Sequence, residues 1–321
     1  MIWLPLLLLI LGFIALVWSA DRFLSGAAAF ATNLGVSKML IGLTVVSVGT
    51  SAPEILVAIF AALDGNPLLA IGNAIGSNIA NIGLVLGMAA IVAPLPFSAQ
   101  VRKTELPWLL LATFLAISLL FDRHLSVMNG LVLLLGLAVI LYRLVKNQNK
   151  SEEHLDPSIQ EELHQLPDMT TIHAVTRLMT GLVVLLASAQ LLVYAATTIA
   201  TSLGVSEMII GLTIVAIGTS LPELAATIGA AVKGHPDIAI GNVVGSNILN
   251  ILAVLAVPGI IAPTDIDFAA LWRDCGMMLA LTLMLALFAY GINSRAVITR
   301  FEGAVMLFAW IGYNTLLIQQ A

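Results

Sequence analysis

The sequence predicts an all-α membrane protein: ten transmembrane helices arranged as two inverted five-helix repeats. Three observations lead there: the hydropathy of the chain, a duplication that keeps polar residues in register, and an uneven distribution of Lys and Arg between loops. Of the 321 residues, 60% are hydrophobic and 10% charged, against roughly 25% charged in soluble domains. The mean hydropathy is +1.05. Lipid, not water, is the solvent that suits such a chain. A single cysteine, Cys275, rules out a disulfide within the chain and a Cys-based metal site. The five histidines are scattered, and none sits in the middle of an apolar run. The net charge of −5 says little about partners. A lipid bilayer is expected around the chain and no nucleic acid; nothing in the sequence reports oligomeric state.

A membrane-crossing helix needs about 20 apolar residues. Ten runs qualify as candidates, near residues 3–30, 39–63, 68–93, 106–121, 126–145, 174–200, 208–232, 237–261, 270–290 and 301–318. The first starts like a signal peptide and reaches Trp18-Ser19-Ala20, but it lacks a basic leading segment. Its counterpart, Leu178 to Thr198, lies in mid-chain. Residues 1–20 therefore read as the start of a retained helix. The second and seventh runs are interrupted by Pro53 and Pro222. Between the fifth and sixth lies the one long polar stretch, Lys146 to Thr171, with Glu152, Glu153, Asp156, Glu161, Glu162 and Asp168. It lacks the alternating Asp/Asn ligands and turn glycine of a calcium loop and reads as a solvated linker. The expected organisation is a first repeat over 1–145, a cytoplasmic linker over 146–171 and a second, inverted repeat over 172–321.

The two halves repeat in detail. LGVSKMLIG (34–42) returns as LGVSEMIIG (203–211), GLTVVSVGTSAPE (42–54) as GLTIVAIGTSLPE (211–223), and GNAIGSNIANI (72–82) as GNVVGSNILNI (241–251), all at one offset of 169. Chance apolar similarity does not hold polar residues in register over such a distance, so this is an internal duplication. Five spans is an odd number, so the second copy enters the membrane from the opposite side. With the N-terminus outside, the inner loops collect Lys38, Arg102, Lys103, Arg143, Lys146, Lys150, Arg177, Lys233, Arg295 and Arg300. The outer loops collect only Arg123 and Arg273. That bias fits the positive-inside rule with both termini outside.

Carboxylates in mid-membrane cost about 2.5–3.5 kcal/mol on insertion scales and usually mark a function. Of the 18 acids, Glu54 and Glu223 are read as the two that lie deep inside an apolar run, at equivalent positions, with no Lys or Arg expected at that depth. Thr50 and Ser51 precede Glu54 by a helical turn, as Thr219 and Ser220 precede Glu223, so each trio shares one face. Pro53 and Pro222 have no N–H to give the carbonyls near Gly49 and Gly218, and broken backbone at this depth is tolerated where it lines a site. In the next span Asn73, Ser77 and Asn81 recur every fourth residue beside Gly72 and Gly76. Asn242, Ser246 and Asn250 do so beside Gly241 and Gly245. The small faces allow close helix approach, while Asn73 and Asn242 either contact the ion or hold the broken helices together. Carboxylate, hydroxyl and carbonyl oxygens are the donor set of hard cations. Two ionised glutamates make a site of charge minus two, which one Ca2+ or two Na+ neutralise. An empty site of that charge is costly to carry through a low dielectric, which favours exchange over uniport.

The paired G-T-S-x-P-E and G-N-x-x-G-S-N-x-x-N segments resemble the alpha-repeats of the sodium/calcium exchanger branch of the calcium/cation antiporters, over essentially the whole chain. The resemblance implies that Thr50, Ser51, Glu54, Ser77, Asn81, Thr219, Ser220, Glu223, Ser246 and Asn250 line a cluster of calcium and sodium sites. It implies Na+/Ca2+ antiport by alternating access across the plasma membrane of a prokaryote, without a cofactor. Some members carry an aspartate where this chain has Asn250, so a third titratable carboxylate is absent at that place. The short linker leaves no room for the calcium-sensing domains of large animal exchangers. H+/Ca2+ or potassium-assisted exchange is the alternative within the class, and a cation channel is the more distant one. An enzyme is not expected, since Ser51 and Ser220 lie outside G-x-S-x-G and no His or Lys base is near.

Overall fold

The computed structural model describes residues 3–34, 51–99, 101–148, 169–232, 234, 236–268, 271–291 and 296–320. Thr50, the leading part of the second apolar run and most of the linker, 149–168, lie outside the described residues. The chain is nearly all helical. In order it forms α1 (Trp3–Asn33), α2 (Ala52–Leu63), α3 (Pro67–Val92), α4 (Leu106–Leu119), α5 (Val127–Gln148), α6 (Thr171–Leu203), α7 (Glu207–Thr219), α8 (Leu221–Val232), α9 (Ile238–Ile261, entered at Pro236), α10 (Leu271–Tyr290) and α11 (Arg300–Gln320).

Among the described residues, six helices are long and apolar enough to cross a membrane: α3, α6, α9, α10, α11 and Trp3–Phe30 of α1. α7 and α8 make a seventh crossing if the pair, bent by 45°, is one span. α2 and the stretch Val127–Arg143 of α5 are shorter apolar helices, and α4 has 14 residues. Among the described residues, the remaining runs do not pass as full-length crossings, for local reasons. The run containing α2 begins outside the described residues, and the approach to α4 carries Arg102, Lys103 and Glu105 in a π-helical turn (Val101–Glu105).

Proline and serine set the breaks. Ser220, between α7 and α8, has φ −84° and ψ 4°, and Ser51, before α2, has φ −91° and ψ 5°. Two residues later stands a proline, tolerated in the first turn because its missing N–H would have had no helical partner there. Each glutamate then falls in the first turn of its helix, Glu54 in α2 and Glu223 in α8, where the helix dipole favours negative charge.

Small residues bring the helices together. A Cβ placed on Gly72 of α3 would lie 2.4 Å from the Met208 carbonyl oxygen, and one on Gly211 of α7 2.4 Å from that of Leu69. Backbone therefore meets backbone where α3 and α7 cross. α1 and α6 cross in a reciprocal way. Gly12 faces Leu192, and Gly181 faces Phe23; the 169 offset carries each pair onto the other. The loops show the same reciprocity. β1 (Leu95–Pro96) pairs antiparallel with β4 (Val297–Ile298), and β3 (Thr264–Asp265), the counterpart of β1, pairs with β2 (His124–Leu125). Each sheet joins a loop of one half to a loop of the other. Large side chains such as Trp3, Ile14, Phe301, Phe308 and Ile318 point outward, as a surface bathed in lipid allows.

One expectation needs correction. Glu54 and Glu223 are not the only deeply buried acids: Asp274, near the start of α10, is 0% exposed. It is masked in the sequence by its neighbour. Arg273 Nε donates to Asp274 Oδ1 at 2.6 Å and a second guanidinium nitrogen to Oδ2 at 3.0 Å, while Tyr313 of α11 donates its hydroxyl at 2.8 Å. A bidentate pair of this kind neutralises the carboxylate, so Asp274 serves the α10–α11 contact. It is not an unpaired charge.

Candidate functional site

The half-helix α2 packs on α3, α3 on α7, and α8 on the part of α3 that begins at Asn81. α9 reaches both α2 and α3 near Asn250. Both α3 and α9 contain a π-helical turn that starts at an expected site residue, Asn81–Leu86 in α3 and Asn250–Val254 in α9. Such turns insert an extra residue into a helix and recur at functional sites.

Glu54 and Glu223 are 0% exposed, and neither makes an ion pair with a described residue. Among the described residues, both side-chain oxygens of Glu54 and the Oε2 of Glu223 find no hydrogen-bond partner. The other oxygen of Glu223, Oε1, accepts a long bond of 3.5 Å from the Ser246 hydroxyl. Ser51 and Ser220, at the two helix breaks, are buried, and their hydroxyls have no partner among the described residues. The Asn81 Oδ1 and both amide atoms of Asn250 are likewise buried and unpartnered. Leaving one buried polar group unpaired costs about 1–3 kcal/mol, and most buried polar atoms in proteins are satisfied. Carboxylate, hydroxyl and amide oxygens of this kind are the chemical types that hard cations take as ligands.

A second layer of bonds fixes these groups. Asn73 Nδ2 donates to the backbone carbonyl of Glu54 at 3.3 Å, and its Oδ1 accepts from Thr219 Oγ1 at 3.2 Å. Ser77 Oγ lies 3.4 Å from the same Thr219 hydroxyl. Asn73 thus ties the first turn of α2 to α3 and α7. Asn242 donates to Thr227 at 3.4 Å and so ties α9 to α8. Thr219, Ser77 and Glu54 are drawn together by one network, and Glu223 and Ser246 by another. Thr50 falls outside the described residues.

Two residues in the cluster were not singled out from the sequence. Asn81 Nδ2 donates to Asn247 Oδ1 at 3.0 Å, and Asn247 Nδ2 donates to the Asn78 carbonyl at 3.4 Å. Asn78 and Asn247 are equivalent under the repeat, each following the serine of G-S-N. That repeated asparagine was the available signal.

Comparison with known proteins bears on the family of the chain. The family model described as sodium/calcium exchanger protein matches residues 4–146 and again 173–319. The chain is 47% identical to CaxA of Alkalimonas amylolytica over 309 residues, 96% of this chain and 97% of that protein. It is 31% identical to the sodium/calcium exchanger MaX1 of Methanosarcina acetivorans over 350 residues, 99% of each. Among solved structures, the sodium-calcium exchanger NCX_Mj soaked with Na+ and Sr2+ superposes with a TM-score of 0.64 at 35% identity, covering 97% of this chain and 98% of that one.

Proposed function

This chain belongs to the sodium/calcium exchanger family, and on that premise we propose that it exchanges Ca2+ for Na+ by alternating access at the cluster around Glu54 and Glu223. The observation that carries the reading is the pair of fully buried carboxylates at repeat-equivalent positions. Each opens a half-helix, and neither is paired with a described base.

The cation ligands in this reading are Thr50, Ser51, Glu54, Ser77, Asn81, Thr219, Ser220, Glu223, Ser246 and Asn250. Two ionised carboxylates are neutralised by one Ca2+ or two Na+. The empty site, charged and desolvated, resists crossing between access states, so outward movement of one ion is coupled to inward movement of the other. A further Na+ would make the loaded site positive and the cycle electrogenic. Asn250 supplies a neutral oxygen to the site.

Alternating access needs two states of similar energy, which inverted repeats provide. We read the chain as a first repeat over 1–145 and a second over 172–321, with ten spans and both termini outside a prokaryotic plasma membrane. The linker, 146–171, is then cytoplasmic. The reciprocal loop pairings β1–β4 and β2–β3 support this reading. So do the reciprocal contacts Gly12–Leu192 and Gly181–Phe23. Calcium export driven by sodium entry is the direction we propose.

The test is 45Ca2+ uptake into everted vesicles carrying the protein. Uptake driven by an outward sodium gradient is expected, with none from a pH gradient or a potassium gradient alone. Undiminished uptake on a pH gradient without sodium would overturn the sodium reading.

A further inference from the structure

We propose that Asn247 is a positioning residue for Asn81, turning the Asn81 carbonyl oxygen toward the cation, and that its repeat counterpart Asn78 does the same for Asn250 in the opposite access state. The inference rests on the reading of Asn81 and Asn250 as cation ligands.

A side-chain amide has an acceptor end and a donor end. Only the oxygen end attracts a cation; the NH2 end repels it. Asn81 is 0% exposed, so water does not decide which end faces the site. Its NH2 is held at 3.0 Å by Asn247 Oδ1, which leaves Asn81 Oδ1 buried and unpartnered, free to face a cation. Asn247 is itself fixed, because its own NH2 donates to the Asn78 carbonyl. The three groups form a relay of aligned amide dipoles from the α3 backbone through α9 and back to α3. Each bond polarises the next, so the relay makes the terminal oxygen a better ligand.

The repeat predicts a mirror of this relay. At the offset of 169, Asn81 maps to Asn250 and Asn247 to Asn78. The mirror bond runs from Asn250 Nδ2 to Asn78 Oδ1. Both of those atoms are buried, and neither has a partner among the described residues; the Asn78 NH2 is instead turned back to Ala74 O of its own helix at 2.8 Å. One relay is therefore made and its mirror is open. Two related halves that exchange conformations during a transport cycle would close the second relay and open the first. The ligand amide that is oriented would then change with the access state.

The test uses purified full-length protein and Ca2+ alone, read by isothermal titration calorimetry, followed by transport in proteoliposomes. Asn247→Leu, close to isosteric, is expected to raise the Kd for Ca2+ about 10-fold or more, within the 10–100-fold that partners of metal ligands contribute. In an Asn81→Asp background a carboxylate presents oxygen whichever way it rotates, so Asn247→Leu is expected to leave the Kd unchanged. An equal rise in both backgrounds would mean that Asn247 only fills space, and would overturn the proposal. Asn247→Ser, compared in the same two backgrounds, gives the same discrimination if the leucine variant does not fold. Wild-type Kd and exchange in Asn81→Leu would instead defeat the reading of Asn81 as a ligand. In oriented vesicles, Asn247→Leu and Asn78→Leu are expected to raise the half-saturating Ca2+ concentration on opposite faces of the membrane. Equal effects on both faces would overturn the alternation.

Discussion

Ser77 of α3 and Thr219 of α7 bring their hydroxyl oxygens within 3.4 Å, although 142 residues separate them. The contact joins the halves of the chain at the level of the helix breaks. Thr219 also donates to Asn73, which holds the Glu54 carbonyl, so this hydroxyl governs where a carboxylate of the opposite half can stand.

Thr219→Val keeps the shape of the side chain and removes its oxygen. The Asn73 acceptor is left buried without its donor, at a cost of about 1–3 kcal/mol. We expect a lower thermal midpoint in detergent and a raised KM for Ca2+, with Thr219→Ser close to the parent in both. A valine variant indistinguishable from the parent would remove Thr219 from the network.

The crossing of α3 and α7 has no room for a side chain. Gly211→Val would press its methyl groups into the α3 backbone, since even a Cβ there lies 2.4 Å from the Leu69 oxygen and 3.0 Å from the Asn73 nitrogen. Overpacking typically costs about 1–3 kcal/mol. Size-exclusion profiles and thermal unfolding should report a destabilised protein. By contrast, Gly229→Ala, with nothing within 4 Å of the added carbon, should be neutral or slightly stabilising.

Asp274→Asn tests a structural claim. Arg273 would lose its charge partner beside α11, and breaking a buried pair from one side costs about 3–5 kcal/mol; Arg273 is partly exposed, which places the expectation at or below the lower end. Tyr313→Phe removes one bond to the same carboxylate and should cost about 1 kcal/mol. Both effects should appear in unfolding curves, while the KM for Ca2+ in the folded fraction stays that of the parent.

The proposed topology puts the two small sheets on opposite faces. In a Cys275→Ser background, His124→Cys at β2 and Thr299→Cys beside β4 should react with a membrane-impermeant maleimide from opposite sides, outside for 124 and inside for 299. Labelling of both from one side would contradict the inverted arrangement.

Much of the proposed site is written in the sequence because its parts are local strings. Proline two residues after serine and one before glutamate specifies the break and puts the carboxylate in the first helical turn, and the string occurs twice. Asn81 and Asn250 were also legible, as every-fourth-residue partners of Ser77 and Ser246. The role of Asn78 and Asn247 was not. They follow those serines directly and so lie off that face, and the π-helical turns starting at Asn81 and Asn250 shift the face in a way a 3.6-residue period does not anticipate. Asp274 was overlooked because Arg273 beside it makes the segment look like a loop end, and the Tyr313 hydroxyl that completes its shell comes from 39 residues further on. The strands β1 to β4 are two residues each, too short to leave a periodic signal, and their pairing is fixed by the way the halves meet.

The central claim is that two carboxylates, one from each half, together balance the transported calcium. Its most direct measurement is equilibrium 45Ca2+ binding and sodium-driven 45Ca2+ uptake by Glu54→Gln and by Glu223→Gln, each verified as folded by its size-exclusion profile. Each variant leaves a site of charge minus one, and we expect both to lose sodium-driven uptake and high-affinity binding. Uptake at the parental rate in either variant would contradict the account.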